Sequence, residues 1–353
     1  MTLSSRFFPL GVAIFLVVSM LSCGGTPDAR PAITHVYTAG FEENDAGQEI
    51  AKYWKDGQPT VLGAGTDGSY ATSIAVSGSD VYVAGIEGNG TNDVAKYWKN
   101  GVAVDLTDGT QRGYAKSVFV SGTDVYVAGG EQAPLANTVA KYWKNGAPVV
   151  LPDSGQGALA WAIFVVGNDV YVAGSKGITT QLDPTHKLVT EVATYWKNGV
   201  PTELTDGTAL SVAYSIFVSG ADVYVGGFAC QNLDPNCGNA TYWKNGVPVK
   251  LTNNIGTTAS SIFVSGTDVY VSGNEANNLG DLWKNELPVE LTGSSAGSAA
   301  NQVAFAGGRT FVGGAVINPS GVPVVTYWKD GVPIPITDGT HFATAFALAV
   351  VER

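Results

Sequence analysis

Three histidines and three cysteines occur among 353 residues, so a reactive site would draw mainly on carboxylates, lysines and aromatic rings. Carboxylate pairs for acid–base work on a glycosidic bond could come from Glu42, Glu43, Asp45, Asp183 or Asp234, but their spacing selects no pair. His35, His186 and His341 stand far apart, and Arg30, Arg112, Arg309 and Arg353 are too scattered to clamp a carboxylate sugar. No glycine-rich phosphate loop leads from a strand into a helix. Aromatic residues offer more. Tyr70, Tyr114, Trp161, Tyr214 and Phe342 each fall just ahead of or within an apolar β-like run, and rings around a channel mouth suit stacking on a sugar or an aromatic ligand. Each ring could equally pack under its own loop. Two long segments near Trp161 and Tyr214, "SKGITTQLDPTHKLVTE" (175–191) and "FACQNLDPNCGN" (228–239), hold Asp183, His186 and Lys187, polar groups able to orient a ligand. Asp67, Asp108, Asp206 and Asp338 in "TDG", with Asp153 in "PDSG", either bond their own turn backbone or form a metal-binding ring; neither a metal nor a cofactor is expected.

The N-terminus has another purpose. Arg6 precedes the apolar run "FFPLGVAIFLVVSML", and "SCGG" follows; a positive start and about 15 apolar residues make an export signal, which lies outside the fold. The segment resembles a bacterial lipoprotein signal, with Ser22 before and Gly24 after the cysteine. That resemblance implies residues 1–23 as signal peptide, lipidation at Cys23, a tether over 24–34, and attachment to a membrane of the bacterial cell envelope on the periplasmic or outer side. Cys230 and Cys237, six residues apart in an exported chain, read as a disulfide across one loop; a zinc site is the rival, but no third cysteine or nearby histidine completes it. Net charge is −11 and no Lys/Arg cluster appears, which argues against a nucleic-acid partner. A monomer is expected.

What must position the candidate residues is a repeat. "AKYWKNG" ends at Gly101 and again at Gly146, with variants ending at Gly199, Gly246 and Gly331; its tryptophan recurs at 54, 98, 143, 196, 243, 283 and 328. Gaps of 40 to 53 residues filled with short β-like runs mark propeller blades. Each unit has four runs: A (as "SIFVSG"), B ("DVYVAG"), C ("KYWK") and D ("VPVEL"). "SGTD" joins A to B, and "KNG" or "KDG" joins C to D; both predict tight hairpins. Proline recurs in D at Pro59, Pro148, Pro201, Pro248, Pro288 and Pro333, with Ala103 the exception. A residue without an N–H donor belongs on an edge strand, so D is predicted outermost and A innermost. The tryptophans and tyrosines of C are expected to fill the space between blades, and the following lysines to pair across strands with the Asp that opens B.

The unit count also predicts closure. "HVYTAG" (35–40) is a B run with no A before it, and "HFATAFALAVVER" (341–353) is an A run with no B after it. An all-β, seven-bladed propeller of four-stranded antiparallel blades over residues 35–353 follows, its ring closed by the C-terminal strand. In such a fold the B–C and D–A loops share one face, which carries the diversity, and the tight turns share the other.

The strand order and the endings "VYVAGG" (125–130) and "VYVGG" (223–227) resemble kelch-type propellers, and the repeats are similar to those of uncharacterised bacterial surface lipoproteins. The resemblance implies architecture, since here "YW" is contiguous in C where kelch repeats space the two residues further apart. Function is read as binding of a carbohydrate or protein partner on the variable face. A propeller enzyme acting on glycans and a structural surface scaffold are the other readings.

Overall fold

The computed structural model describes residues 34–353, apart from 64–66, 134–136, 154, 182–186, 231–237, 276–279 and 294–296. The expected disulfide falls partly outside this set: Cys230 is disulfide-bonded, while Cys237 lies outside the described residues, as do Cys23 and the rest of the segment before residue 34.

Seven four-stranded antiparallel sheets follow one another around a ring. Blade I contains β1 (Thr34–Glu43), β2 (Glu49–Lys55) and β3 (Gln58–Val61). Blade II contains β4 (Ser69–Ser77), β5 (Asp80–Gly88), β6 (Asp93–Lys99) and β7 (Val102–Asp105). Blade III has β8 (Gly113–Ser121), β9 (Asp124–Gln132), β10 (Thr138–Lys144) and β11 (Ala147–Val150). Blade IV has β12 (Ala158–Val166), β13 (Asp169–Gln181), β14 (Lys187–Lys197) and β15 (Val200–Glu203). Blade V has β16 (Ser211–Ser219), β17 (Asp222–Ala229), β18 (Asn239–Lys244) and β19 (Val247–Lys250). Blade VI has β20 (Thr258–Ser265), β21 (Asp268–Asn274), β22 (Gly280–Lys284) and β23 (Leu287–Val289); blade VII has β24 (Ala299–Ala306), β25 (Arg309–Ile317), β26 (Pro323–Lys329) and β27 (Val332–Pro335). The last strand, β28 (Ala343–Glu352), is the innermost strand of blade I, with His35 opposite Val351 and Gly40 opposite Ala345. Each innermost strand touches that of the next blade, and β28 touches both β24 and β4, so the ring is shut.

The repeat motif explains itself once the blades are assembled. All seven of its tryptophans are buried, and proline stands directly opposite six of them on the outermost strand, Trp143 facing Pro148 for example. Six of the C–D turns place Asn or Asp and then Gly at positive φ, as in Asn100 (50°) and Gly101 (83°), and the seventh has Asn285 and Glu286 there, the geometry of a type I′ hairpin. The A–B turns differ: Gly78, Gly122, Gly167, Gly220 and Gly266 have positive φ while the residue after each does not, a type II′ pattern. On this turn face one polar constellation recurs. In blade II the Asn100 amide donates to Asp80, Val81 N–H donates back to Asn100 Oδ1, and Lys99 Nζ meets Asp80 at 2.9 Å while lying over the Tyr82 ring. Blades III to VI repeat it with Asp124, Asp169, Asp222 and Asp268, so the expected Lys–Asp pairs are present. They are open to solvent, which screens them, so they add little to stability.

Between blades, serines act as staples. Ser73 Oγ accepts from Val118 N–H (2.9 Å), Ser117 from Ile163 (3.3 Å) and Ser261 from Val303 (3.3 Å), and Gln302 Oε1 accepts from Leu348 N–H (2.8 Å). Just before each of these positions, every innermost strand carries one extra residue relative to its neighbour. The extra residues are Thr72, Lys116, Trp161, Tyr214, Ser260, Asn301 and Phe346. Such a β-bulge re-aims a side chain and bends the strand. It also dictates the glycine of "VYVAG" or its equivalent: a Cβ on Gly40, Gly85, Gly129, Gly174, Gly227, Gly273 or Gly314 would land on the carbonyl oxygen two residues before the bulge.

Candidate ligand site at the channel mouth

The bulge decides which aromatic residues are equivalent. Of the five expected rings only Trp161 and Tyr214 occupy it, as Phe346 does in blade I; Tyr70 and Tyr114 stand two residues earlier, and Phe342 four residues before Phe346. A single continuous rim of five equivalent rings is therefore not what the ring carries. Four of the five rings fall into two groups, and Tyr114 lies near the Lys116 ammonium. Phe41, fully buried, packs edge-on to Tyr70, stacks with Phe342 and touches Phe346. Tyr70 also donates its hydroxyl to Glu49. This first group is internal packing of blades I and II.

The second group is of a different kind. The half-buried rings of Trp161 and Tyr214 meet at 87° with centroids 5.2 Å apart, and Phe228 backs Tyr214 at 5.9 Å. They form a corner contributed by adjacent blades IV and V, on the half of the blades next to the variable loops. Side chains at the bulge reach toward the following blade: Thr72 Oγ1 donates to Ala115 O and Asn301 Nδ2 to Ala345 O. Lys116, at the same position in blade III, makes no such bond. Its ammonium lies over the Trp161 ring (4.7 Å to the centroid) and near the Tyr114 ring (5.6 Å), and among the described residues it has neither a hydrogen-bond acceptor nor an ion-pair partner. Lys116 is 4% exposed. Burial pulls its pKa down to about 8, against a weak opposing pull from Asp93, itself held 3.1 Å from Arg112. The Lys116 Nζ is not one of the fully enclosed polar atoms that lack a partner; burial of the side chain penalises the charge, and cation–π contact offsets about 2 kcal/mol or more where water is excluded.

One acid borders the corner. Glu191 accepts from Ser175 Oγ at 3.0 Å, and burial followed by the Glu191 charge raises the Tyr214 phenol above its ordinary pKa. Neither Lys116 nor Glu191 stands out by residue type alone. The signal that could have found Lys116 is the run of strand glycines, since a glycine inside a strand marks a bulge.

Of the polar residues expected beside Trp161, only Lys187 belongs to the described residues. The segment 175–191 is largely a hairpin: β13 and β14 run on to the pair Gln181–Lys187, four residues past the equivalent end of blade III, or about 13 Å of strand. Lys187 is therefore about seven residues, roughly 23 Å along the strand, from Gly174 at the level of Trp161. Asp183 and His186 lie outside the described residues. His341 Nε2 sits 3.0 Å from Asp45 in blade I, and His35 pairs with Asp56 on the turn face. The "TDG" aspartates Asp108, Asp206 and Asp338 accept from the backbone two residues on, the Asx-turn role. Among the described residues no three His, Cys, Asp or Glu side chains gather as a metal site. A cleft of about 530 Å³ opens between blades III and IV on the turn face, lined by Asp124, Tyr126, Lys144 and Asn198; Asp124 and Lys144 there are paired with one another.

No family model and no curated protein matches the chain. Among solved structures it is similar to the β-propeller domain of the Trilobed protease from Pyrococcus furiosus, described as having an open velcro topology (TM-score 0.50, 8% identity, 87% of this chain and 95% of that one). It also matches YjhT (TM-score 0.41, 10% identity, 74% and 96%) and a puromycin-hydrolyzing peptidase of Mycobacterium tuberculosis (TM-score 0.36, 11% identity, 74% and 52%). The first likeness shows the fold, a β-propeller; in the present ring the terminal strands are paired.

Proposed function

We propose that the protein is a binding protein held outside the cytoplasm by a lipid on Cys23, and that it takes its ligand, a glycan, on the variable face at the Trp161–Tyr214 corner. The kelch-like strand order belongs to the same reading as architecture only. One observation carries it: two half-buried rings from adjacent blades stand at right angles, and over one of them lies the Lys116 ammonium, which has no hydrogen-bond or ion-pair partner among the described residues. Ring packing accounts for Tyr70 and Phe342, but it supplies that ammonium with no acceptor among the described residues. A ring corner of this kind offers one face for stacking and one wall for a substituent.

The test is a glycan array probed with the purified chain and with Trp161→Ala. Binding by the wild type that falls tenfold or more in the variant is the expected result; binding indifferent to Trp161 rejects the site. The anchor has a separate check, since Cys23→Ala should leave the membrane fraction, and a variant that stays there rejects lipidation.

A further inference from the structure

We propose that Lys116 is an anion anchor and that the ligand is an acidic saccharide, a sugar ring bearing a carboxylate. This rests on the reading of the Trp161–Tyr214 corner as the ligand platform. At the equivalent bulge positions Thr72 and Asn301 satisfy themselves on the carbonyl of the next blade. The lysine stem is longer, and its ammonium ends over the Trp161 ring instead, with its N–H donors unused by the described residues. The chain's own acids nearby are engaged elsewhere: Asp93 with Arg112, and Glu191 with Ser175 beside Tyr214. A sugar stacked on Trp161 would carry a ring substituent to within reach of Nζ, where a carboxylate supplies both the charge and the acceptors. One lysine, with Glu191 close by and a net charge of −11 on the chain, suits a monoanion. A phosphate dianion would bring surplus negative charge into an acidic field.

The full chain in detergent is titrated with galacturonate, glucuronate and sialic acid oligosaccharides and with the methyl ester of each, a neutral isostere, using tryptophan fluorescence and calorimetry. Wild type should bind at least one acid ten or more times tighter than its ester. Lys116→Met should bring the acid down to the level of the ester without changing the ester, Lys116→Arg should keep the preference for the acid, and Trp161→Ala should lose both. Esters bound as tightly as acids overturn the anchor and leave the platform standing, and so does a Lys116→Met variant that keeps the preference. Binding indifferent to Trp161, or none to any sugar, overturns platform and anchor together. The acid–ester comparison needs no variant, so it decides the matter even where a variant fails to fold.

Discussion

His35 and Asp56 stand 2.6 Å apart at the place where blades II to VI hold an Asp and an Asn. Blade VII has the same reversal, with Arg309 against Asp330 at 2.6 Å. In both blades the acid has moved to the turn and a basic side chain takes its place at the head of the B strand, while the backbone bond survives: Val36 N–H donates to Asp56 Oδ1 and Thr310 N–H to Asp330 Oδ1. What the turn needs is an oxygen acceptor at its first central residue; the partner's sign follows from which residue supplies it. Replacing His35 by Asp alone sets two carboxylates together and should lower stability by about 1 kcal/mol. Adding Asp56→Asn should recover it, because the pair then matches the other five blades. Denaturant melts of the two singles and the double decide this, and additive effects would contradict it.

Gly129→Ala should be severely destabilising, by about 3 kcal/mol or more. Its Cβ would meet the Tyr114 carbonyl, part of the backbone that carries the bulge at Lys116. Gly101→Ala, at an exposed turn with open space around it, should cost nearer 1 kcal/mol from its positive φ. Equal losses in thermal melts would argue that the bulge yields.

Glu286 occupies the left-handed region (φ 69°) where the other C–D turns have glycine. Glu286→Gly should therefore stabilise the chain by about 0.5–1 kcal/mol, read as a higher urea midpoint with an unchanged slope. A lower midpoint would mean that the 3.5 Å contact with the Tyr242 hydroxyl outweighs the backbone strain.

Lys116→Met should raise stability at neutral pH, since it replaces a cation with no hydrogen-bond or ion-pair partner among the described residues by an apolar chain of similar length. The pH dependence has a definite sign. The folded pKa is about 8 against 10.5 for the ordinary lysine, so between those values the unfolded chain holds a proton that the folded chain lacks, and stability rises with pH. The penalty is complete below pH 8 and disappears by about pH 10.5. The advantage of the variant should thus shrink by about 3 kcal/mol across that window. An advantage independent of pH would place the charge in contact with an acceptor.

Much of this architecture can be read from the chain before folding is considered. The Trp period, the Asn-Gly turns, the proline of the D strand and the unmatched runs at either end lead to seven blades and their closure, because the first three are local rules repeated in six or seven blades and the last needs only a count of runs. The site is harder to read for a physical reason. Tyr70 and Tyr114 stand four residues before Ile74 and Val118, whereas Trp161 and Tyr214 stand two before Ile163 and Ile216. The difference acquires meaning only with the bulge, which re-aims the one side chain it carries. Trp161 and Tyr214 occupy that position, and so does Lys116 in the preceding blade. The hairpin over 169–197 hid in the same way: its β-branched stretch "GITT" reads as a strand, but the length of the insertion reads as a loop.

The pairing of β1 with β28 also sets a timetable. Thr34 emerges from the ribosome before any other described residue, yet its neighbour across the sheet is Glu352. Blade I must therefore wait as a three-stranded sheet with its inner edge bare while six complete blades are made beside it, and an open edge of that kind invites wrong partners. The first blade synthesised is the last one finished. Chains stalled before Ala343 should remain open to proteases at β1 however long they are left, and become resistant only when the closing strand is free to arrive.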